Sequence, residues 1–181
     1  MAYRISQVMT KTGDQGQTGL ADGSRVKKDS LRIQAIGDVD ELNSFLGLVI
    51  SFQPPEAVSN VLIQIQHQLF DVGGELSLPG VKKVTGKTVA MLEGQIVAIG
   101  GKLPPINGFI LPGGTAAAAQ LQVARSVCRR AERSVVALDG TEKVSPDLLY
   151  YMNRLSDLLF ILARETNRSA GCPEVLSNEV S

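Results

Sequence analysis

Apolar residues recur every three or four positions in one segment after another of this chain, and proline or glycine separates the segments. That period belongs to helices that bury one face, not to strands. Val58, Leu62, Ile65, Leu69, Val72 and Leu76 form the clearest stripe; Leu31, Ile36, Val39, Leu42, Leu46 and Val49 form a broader one. The pattern predicts a first helix within Ser30 to Phe52, with Gly37 and Asp38 interrupting its start. Pro54-Pro55 stops it and opens a second helix, with Pro55 near the first helical position. Leu78-Pro79-Gly80 ends the second helix, and Gly73-Gly74 inside it lets a neighbour come close. A third helix runs from Thr88 to about Ile99 and closes at Gly100-Gly101, followed by a loop from Pro104 to Gly114. Thr115 caps a fourth, running to about Leu138. Asp139-Gly140 turns the chain, then Ser145 caps and Pro146 opens a fifth, to about Thr166. The residues beyond read as a loose tail. Five helices with short connections predict an all-α bundle. An α/β arrangement would need strands at Val84 to Val89 or Phe109 to Leu111.

Composition narrows the partners. The chain has 181 residues and 19.3 kDa, the length of a single domain. Lys+Arg and Asp+Glu are both 18, so the formal net charge is zero and a generic polyanion binder is disfavoured. Anion chemistry has to come from locally grouped cations. Aromatics are 4% and tryptophan is absent, so the core is aliphatic. Cys128 and Cys172 lack metal-like spacing and read as free thiols. No apolar leader segment and no apolar run long enough to span a bilayer is evident, which predicts a cytoplasmic protein that binds neither membrane nor nucleic acid.

Three regions carry residues suited to chemistry. The first 28 residues lack helical periodicity, and the stretch Thr10-Lys11-Thr12-Gly13-Asp14-Gln15-Gly16-Gln17-Thr18-Gly19 reads as an ordered loop. Its glycines permit close backbone approach, its threonines offer hydroxyls, and Lys11, Lys27 and Lys28 offer charge. Those are the groups that hold a polyphosphate; a solvated surface turn accounts for the same composition. In the fourth helix Arg125, Arg129, Glu132 and Arg133 fall within an arc of roughly 100°. They form either a solvated basic face or a phosphate clamp. In the fifth helix Asn153, Asp157, Phe160 and Arg164 align, as a site, a subunit contact or an interhelical network. Asp38, Asp40 and Glu41 could face the arginine row, and Asp40 with Arg125 is a plausible ion pair within or between subunits.

Other signals lead nowhere. Gly80 to Thr88 resembles a phosphate-binding P-loop but has one residue too many between its glycines and follows a helix. His67 is the only histidine and no cue ties a cysteine to it. No Glu-x-x-His pair exists for a di-iron site, and Glu75 and Glu93 take no role in this reading. The inventory has cationic and hydroxyl donors without an evident general acid or base. It suits loss of a leaving group that is already a good anion.

Six ordered blocks carry a resemblance over about residues 9 to 166. They are Thr10-Lys11-Thr12-Gly13-Asp14-Gln15-Gly16, Lys28-Asp29, Val39-Asp40-Glu41-Leu42-Asn43-Ser44 and Phe109-Ile110-Leu111-Pro112-Gly113-Gly114, then Arg125-Ser126-Val127-Cys128-Arg129-Arg130-Ala131-Glu132-Arg133 and Asn153-Arg154-Leu155-Ser156-Asp157. The chain resembles the PduO-type ATP:cob(I)alamin adenosyltransferases. The resemblance implies a five-helix bundle with a ferritin-like up-and-down core and an ordered N-terminal phosphate loop. It implies a homotrimer with active sites between subunits, in which Co(I) of a reduced corrinoid attacks the 5′ carbon of ATP and triphosphate leaves. It implies that Thr10, Thr12, Gly13, Gly16, Thr18 and Lys28 hold the phosphates. Arg129, Glu132 and Asn153 would bind ATP with its Mg²⁺, the ion near Glu132, and Arg133 would assist. Arg125 would pair with Asp40 across the subunit boundary. Phe109 would lie against the lower corrin face and exclude an axial ligand. A cob(II)alamin reductase and an adenosylcobalamin-dependent enzyme are the implied protein partners. The chain departs from the family pattern at Met9 and Ile36, where tyrosines are common, and the tail from Asn167 has no match. Two other readings stand beside it: a phosphotransferase that releases ADP, and a helical module that binds a nucleotide without turnover.

Overall fold

The computed structural model describes residues 9 and 11–177. Five helices account for most of them: α1 (Leu31–Ser51), α2 (Glu56–Ser77), α3 (Gly86–Gly100), α4 (Ala116–Asp139) and α5 (Pro146–Ser169). α4 lies between α1 and α5; α2 packs on α1, α3 packs on α5, and α2 also touches α5. The all-α expectation holds. The core is aliphatic, built from residues such as Leu42, Leu46, Leu62, Leu69, Leu121 and Leu155, with Tyr151 fully buried among them. The Tyr151 hydroxyl donates to Gln68 Oε1 at 3.0 Å, so its burial strands no donor. Cys128 is also fully buried, and its desolvation pushes the thiol far above the usual range.

The helix starts have local causes. The side chains of Ser30, Thr115 and Ser145 accept from the backbone N–H groups of Ile33, Ala118 and Leu148. Pro146 opens α5. Pro55 does not open α2 from inside; it is the cap, its carbonyl accepts from Val58 and Ser59, and Glu56 is the first helical residue. α3 starts two residues before Thr88, because Thr85 and Thr88 form a capping box around its first turn. Gly37 and Asp38 do not interrupt α1: burying Ala35, Val39 and Leu42 outweighs the roughly 1 kcal/mol that one glycine costs a helix. α5 continues three residues past Thr166 and buries Asn167.

Two regions differ from the sequence-based expectation. The N-terminal segment holds a small hairpin, β1 (Gln17–Gly19) paired antiparallel to β2 (Arg25–Lys27), with Thr18 opposite Val26. Strands of three residues are too short to show alternation. Gly23, at φ +86, permits the connecting turn, where the Asp22 carboxylate accepts from the Ser24 amide and hydroxyl. Those bonds hold its carboxyl below the usual range. Ala21 N donates to Ser77 O at 3.0 Å and seats the hairpin on the end of α2. The tail is not loose as far as Ser177: residues 175–177 pair with 109–111 through an isolated bridge between Ile110 and Leu176. That bridge is all the strand character at Phe109 to Leu111, and Gly86 to Val89 are helical, so the α/β alternative fails.

Candidate active site

The N-terminal loop is an organised cradle. Lys28 N donates to Gly16 O at 2.9 Å, and Arg25 Nη2 donates to the carbonyls of Thr12 at 2.6 Å and Gln17 at 3.3 Å. Gly16 adopts φ +78. A Cβ on Gly13 would lie 2.9 Å from Lys28 Nζ, so the glycine lets the ammonium rest against the loop backbone. Lys11, Thr12, Gly13, Asp14, Thr18 and Lys28 share a cavity of about 460 Å³. The structure thus brings Thr12, Gly13, Thr18 and Lys28 together, with Gly16 shaping the turn; Thr10 lies outside the described residues.

Thr18 and Gly19 also border a second cavity of about 450 Å³, between the hairpin and helices α1 and α2. Ile33, Ile36, Leu69 and Phe70 line it with apolar surface, and Asp40 and Asn43 add polar groups. Asn43 is 8% exposed, and its Oδ1 has no hydrogen-bond partner among the described residues. Its Nδ2 donates to Gln66 O, which fixes the amide. A cationic, hydroxyl-lined compartment therefore adjoins a largely apolar one. That pair of environments suits a polyphosphate attached to, or lying beside, a broad apolar ring system.

The arginine row sits elsewhere. Arg129 and Arg133 are exposed on α4, and no acid pairs with either among the described residues. Arg133 Nη1 donates to Arg129 O at 3.1 Å. Arg125 Nε donates to Gln122 Oε1 at 2.9 Å, and its guanidinium lies 6.0 Å from the centre of the Phe160 ring. Glu132 Oε1 accepts from Asn153 Nδ2 at 2.9 Å, which joins α4 to α5 beside the row. Asp157 is exposed. Asp38 and Glu41 are not partners of the row: both pair with Arg130, and the Ser134 hydroxyl also donates to Asp38. Arg130 and Ser134 are one turn apart on the side of α4 that meets α1. Asp40 and Arg125 form no ion pair within the protomer among the described residues.

Phe109 stands on the loop between α3 and α4 with 87% of its surface exposed. Neither cavity of the N-terminal half is lined by Phe109 or by any residue of α4 or α5. His67 is exposed on α2, and no cluster of three histidine, cysteine or acidic side chains able to hold a metal exists among the described residues. One buried acid escaped the sequence reading. Glu75 Oε2 accepts from the amides of Lys83 at 2.7 Å and Val84 at 2.8 Å, while Oε1 accepts from the Ser145 hydroxyl. An acid three residues after Val72, on the buried stripe, is the signal that could have found it.

Taken together, the fold and its cationic surfaces define a helical-bundle protein whose exposed cations suit a polyphosphate-bearing ligand. The chain belongs to the cobalamin adenosyltransferase family, whose model matches residues 8–166. It is thus an enzyme of the transferase class. It is 52% identical over 178 residues to a cobalamin adenosyltransferase of Cupriavidus metallidurans, covering 97% of this chain and 96% of that one. It is 46% identical over 176 residues to the corrinoid adenosyltransferase of Bacillus subtilis, covering 93% of this chain and 91% of that one. A solved structure of a phenylalanine-to-alanine variant of the PduO-type ATP:corrinoid adenosyltransferase from Lactobacillus reuteri, complexed with cobalamin and ATP, superposes with a TM-score of 0.90. It shares 37% identity and covers 96% of this chain and all of that one.

Proposed function

We propose that this chain transfers the 5′-deoxyadenosyl group of ATP to Co(I) of a reduced corrinoid, giving adenosylcobalamin and triphosphate, and that it does so as a homotrimer. The observation that carries the reading is the split site. One protomer presents a lysine- and threonine-lined cradle beside an apolar cavity, and on a separate face an arginine row whose exposed Arg129 and Arg133 form no ion pair among the described residues. Neither half closes around a nucleotide alone, so we place the cradle of one subunit against the row of the next.

In that assembly Thr10, Thr12, Gly13, Gly16, Thr18 and Lys28 hold the phosphates. Arg129 donates to the departing triphosphate and Arg133 assists it. Glu132, held in place by Asn153, faces the nucleotide. The donor set fits a Mg²⁺ ion: that ion takes one or two carboxylates and completes its shell with phosphate oxygens and water, and Glu132 Oε2 has no partner among the described residues. Bound there, Mg²⁺ would supply charge neutralisation on the triphosphate. Asp40 and Arg125 pair across the boundary and keep the two halves in register. Phe109 lies against the lower corrin face; an apolar ring offers cobalt no lone pair, so the axial position stays empty.

The chemistry explains what the site lacks. The cobalt centre of the substrate is the nucleophile; the Co–C5′ bond forms as the C5′–O bond to triphosphate breaks, and the electron pair leaves with the phosphate. No proton moves, so no general base is required, and the protein positions reactants and stabilises the leaving charge. No described helix is long and apolar enough to cross a membrane. We assign the enzyme to the cytoplasm, served by a cob(II)alamin reductase and delivering its product to an adenosylcobalamin-dependent enzyme.

Anaerobic incubation with ATP and chemically reduced cobalamin tests the reaction. The corrinoid spectrum should shift to that of the alkylated form with stoichiometric triphosphate release. Release of ADP would convert the reading to phosphotransfer, and ATP binding without turnover to a non-catalytic module. Light scattering on the eluting protein should give three times the protomer mass; a monomer that is fully active would refute the shared site.

A further inference from the structure

The end of α5 and the chain beyond it hold the Phe109 loop in three places. Arg164 is 4% exposed, and its guanidinium grips Glu174 with two prongs, Nε to Oε1 at 2.6 Å and Nη2 to Oε2 at 3.0 Å. The same Nη2 donates to Pro104 O at 2.8 Å, where the loop begins. Asn167, one turn on, donates to Gly113 O and accepts from Thr115 N, both at 3.0 Å, where the loop ends. A Cβ on Gly114, at φ +98, would fall 2.2 Å from Asn167 Oδ1, so this closure requires glycine there. Between these anchors the strap after Glu174 runs antiparallel to the loop. Leu111 N donates to Val175 O and Ser177 N to Phe109 O, both at 2.8 Å.

These contacts matter because the Phe109 ring has almost nothing else to fix it. At 87% exposure its place is set by its backbone, not by packing. The backbone of Phe109 is held by the strap, and two ladder bonds do not make a stable pairing by themselves. The strap is anchored by the residue just before it, Glu174, through a guanidinium on a rigid helix. Charge-assisted, two-pronged pairs of this kind carry orientation as well as strength.

We propose that the Arg164–Glu174 pair is a positioning latch for Phe109, clamping the C-terminal strap onto the loop and so setting how far the ring projects toward the corrinoid. In this role both residues act through the strap and the loop and not on the reacting atoms. The proposal rests on the reading of Phe109 as the ring that faces the corrinoid, and its test separates the two.

The test compares full-length Glu174→Ala and Glu174→Gln with Phe109→Ala and the wild type. Hydrogen exchange reads the latch directly. In Glu174→Ala the Leu111 and Ser177 amides should exchange roughly tenfold faster while α1 amides keep their rates; Glu174→Gln, which keeps the shape without the charge, should fall between. Electron paramagnetic resonance of cob(II)alamin with ATP present reads the consequence. The fraction of cob(II)alamin without an axial ligand should fall in Glu174→Ala, KM for the corrinoid should rise several-fold and KM for ATP should stay put. Adding Glu174→Ala to Phe109→Ala should cost nothing further. Unchanged exchange at both amides overturns the latch. Faster exchange with wild-type spectrum and corrinoid KM overturns its link to Phe109, as does a double variant whose losses add. A Phe109→Ala enzyme with the wild-type spectrum removes the premise and the proposal with it, while the exchange rates still report whether the strap is clamped.

Discussion

Arg129 and Arg130 are neighbours in sequence with opposite surroundings. Arg130 points to the seam between α1 and α4, where Asp38 and Glu41 pair with it and Ser134 donates to the same Asp38. Arg129 lies on the outer surface of α4 near Arg133, and neither forms an ion pair among the described residues, since the nearby Glu132 is engaged by Asn153. Glu75 belongs with the first group: its carboxylate is consumed by two backbone amides and a hydroxyl at the junction of α2, α3 and α5. Lys28 belongs with the second, its ammonium lying against Gly13 in an open cavity. A charge satisfied inside the protomer contributes to the fold. Cations that crowd together on a surface without an ion-pair partner repel one another, and an external anion relieves that repulsion.

The sharpest way to break this division is Arg129→Ala. If the exposed row grips the departing triphosphate, kcat should drop by about 10²–10³-fold. Unfolding free energy should change by less than about 0.5 kcal/mol, since the residue is exposed and its side chain forms no ion pair among the described residues. Steady-state turnover and chemical denaturation of the same preparation check both halves. Wild-type turnover would remove Arg129 from the site. Glu75→Ala should do the reverse. It leaves the amide of buried Val84 without an acceptor and should destabilise the chain by roughly 2–3 kcal/mol with kcat per folded molecule unchanged. A denaturation midpoint equal to the wild type would mean that water replaces the carboxylate. Asp40→Ala probes a charge whose partner we place in the next subunit. Activity should fall on the order of tenfold, equivalent to about 1.4 kcal/mol, and trimers should dissociate at a higher protein concentration on light scattering. Full activity with an unchanged trimer would argue against the inter-subunit pair.

How far the sequence reaches follows from the same contrast. Helices were legible because a period of 3.6 and side-chain caps are local; Thr115 and Ser145 announce α4 and α5 by themselves. The arginine row was legible as a geometric fact, since residues one turn apart share a face wherever the helix is packed. Its partners were not. Whether Asp38, Asp40 or Glu41 meets it depends on the rotation of α1 against α4, and the structure gives Asp38 and Glu41 to Arg130 instead. The strap shows the limit most clearly. Glu174 meets Arg164 ten residues earlier, and Ser177 meets Phe109 sixty-eight residues away (177 minus 109), through bonds that no periodicity encodes. Asn167 likewise looked like the first residue of the tail, yet it is buried and closes the Phe109 loop.

Arg130→Ala should have the smallest effect, and it is the control that gives the others meaning. The Arg130 and Glu41 side chains are 43% and 44% exposed, so solvent screens that pair, while Asp38 at 16% is held a second time by Ser134. Screened pairs of this kind contribute at most about 1 kcal/mol, so the denaturation midpoint should move slightly and kcat should stay within about twofold. High salt should shrink even that difference, because it weakens the wild-type pair and leaves the variant alone. A loss of turnover in Arg130→Ala as deep as that in Arg129→Ala would mean that the α1–α4 seam, not the exposed row, carries the site, and the two faces of α4 would have to exchange roles.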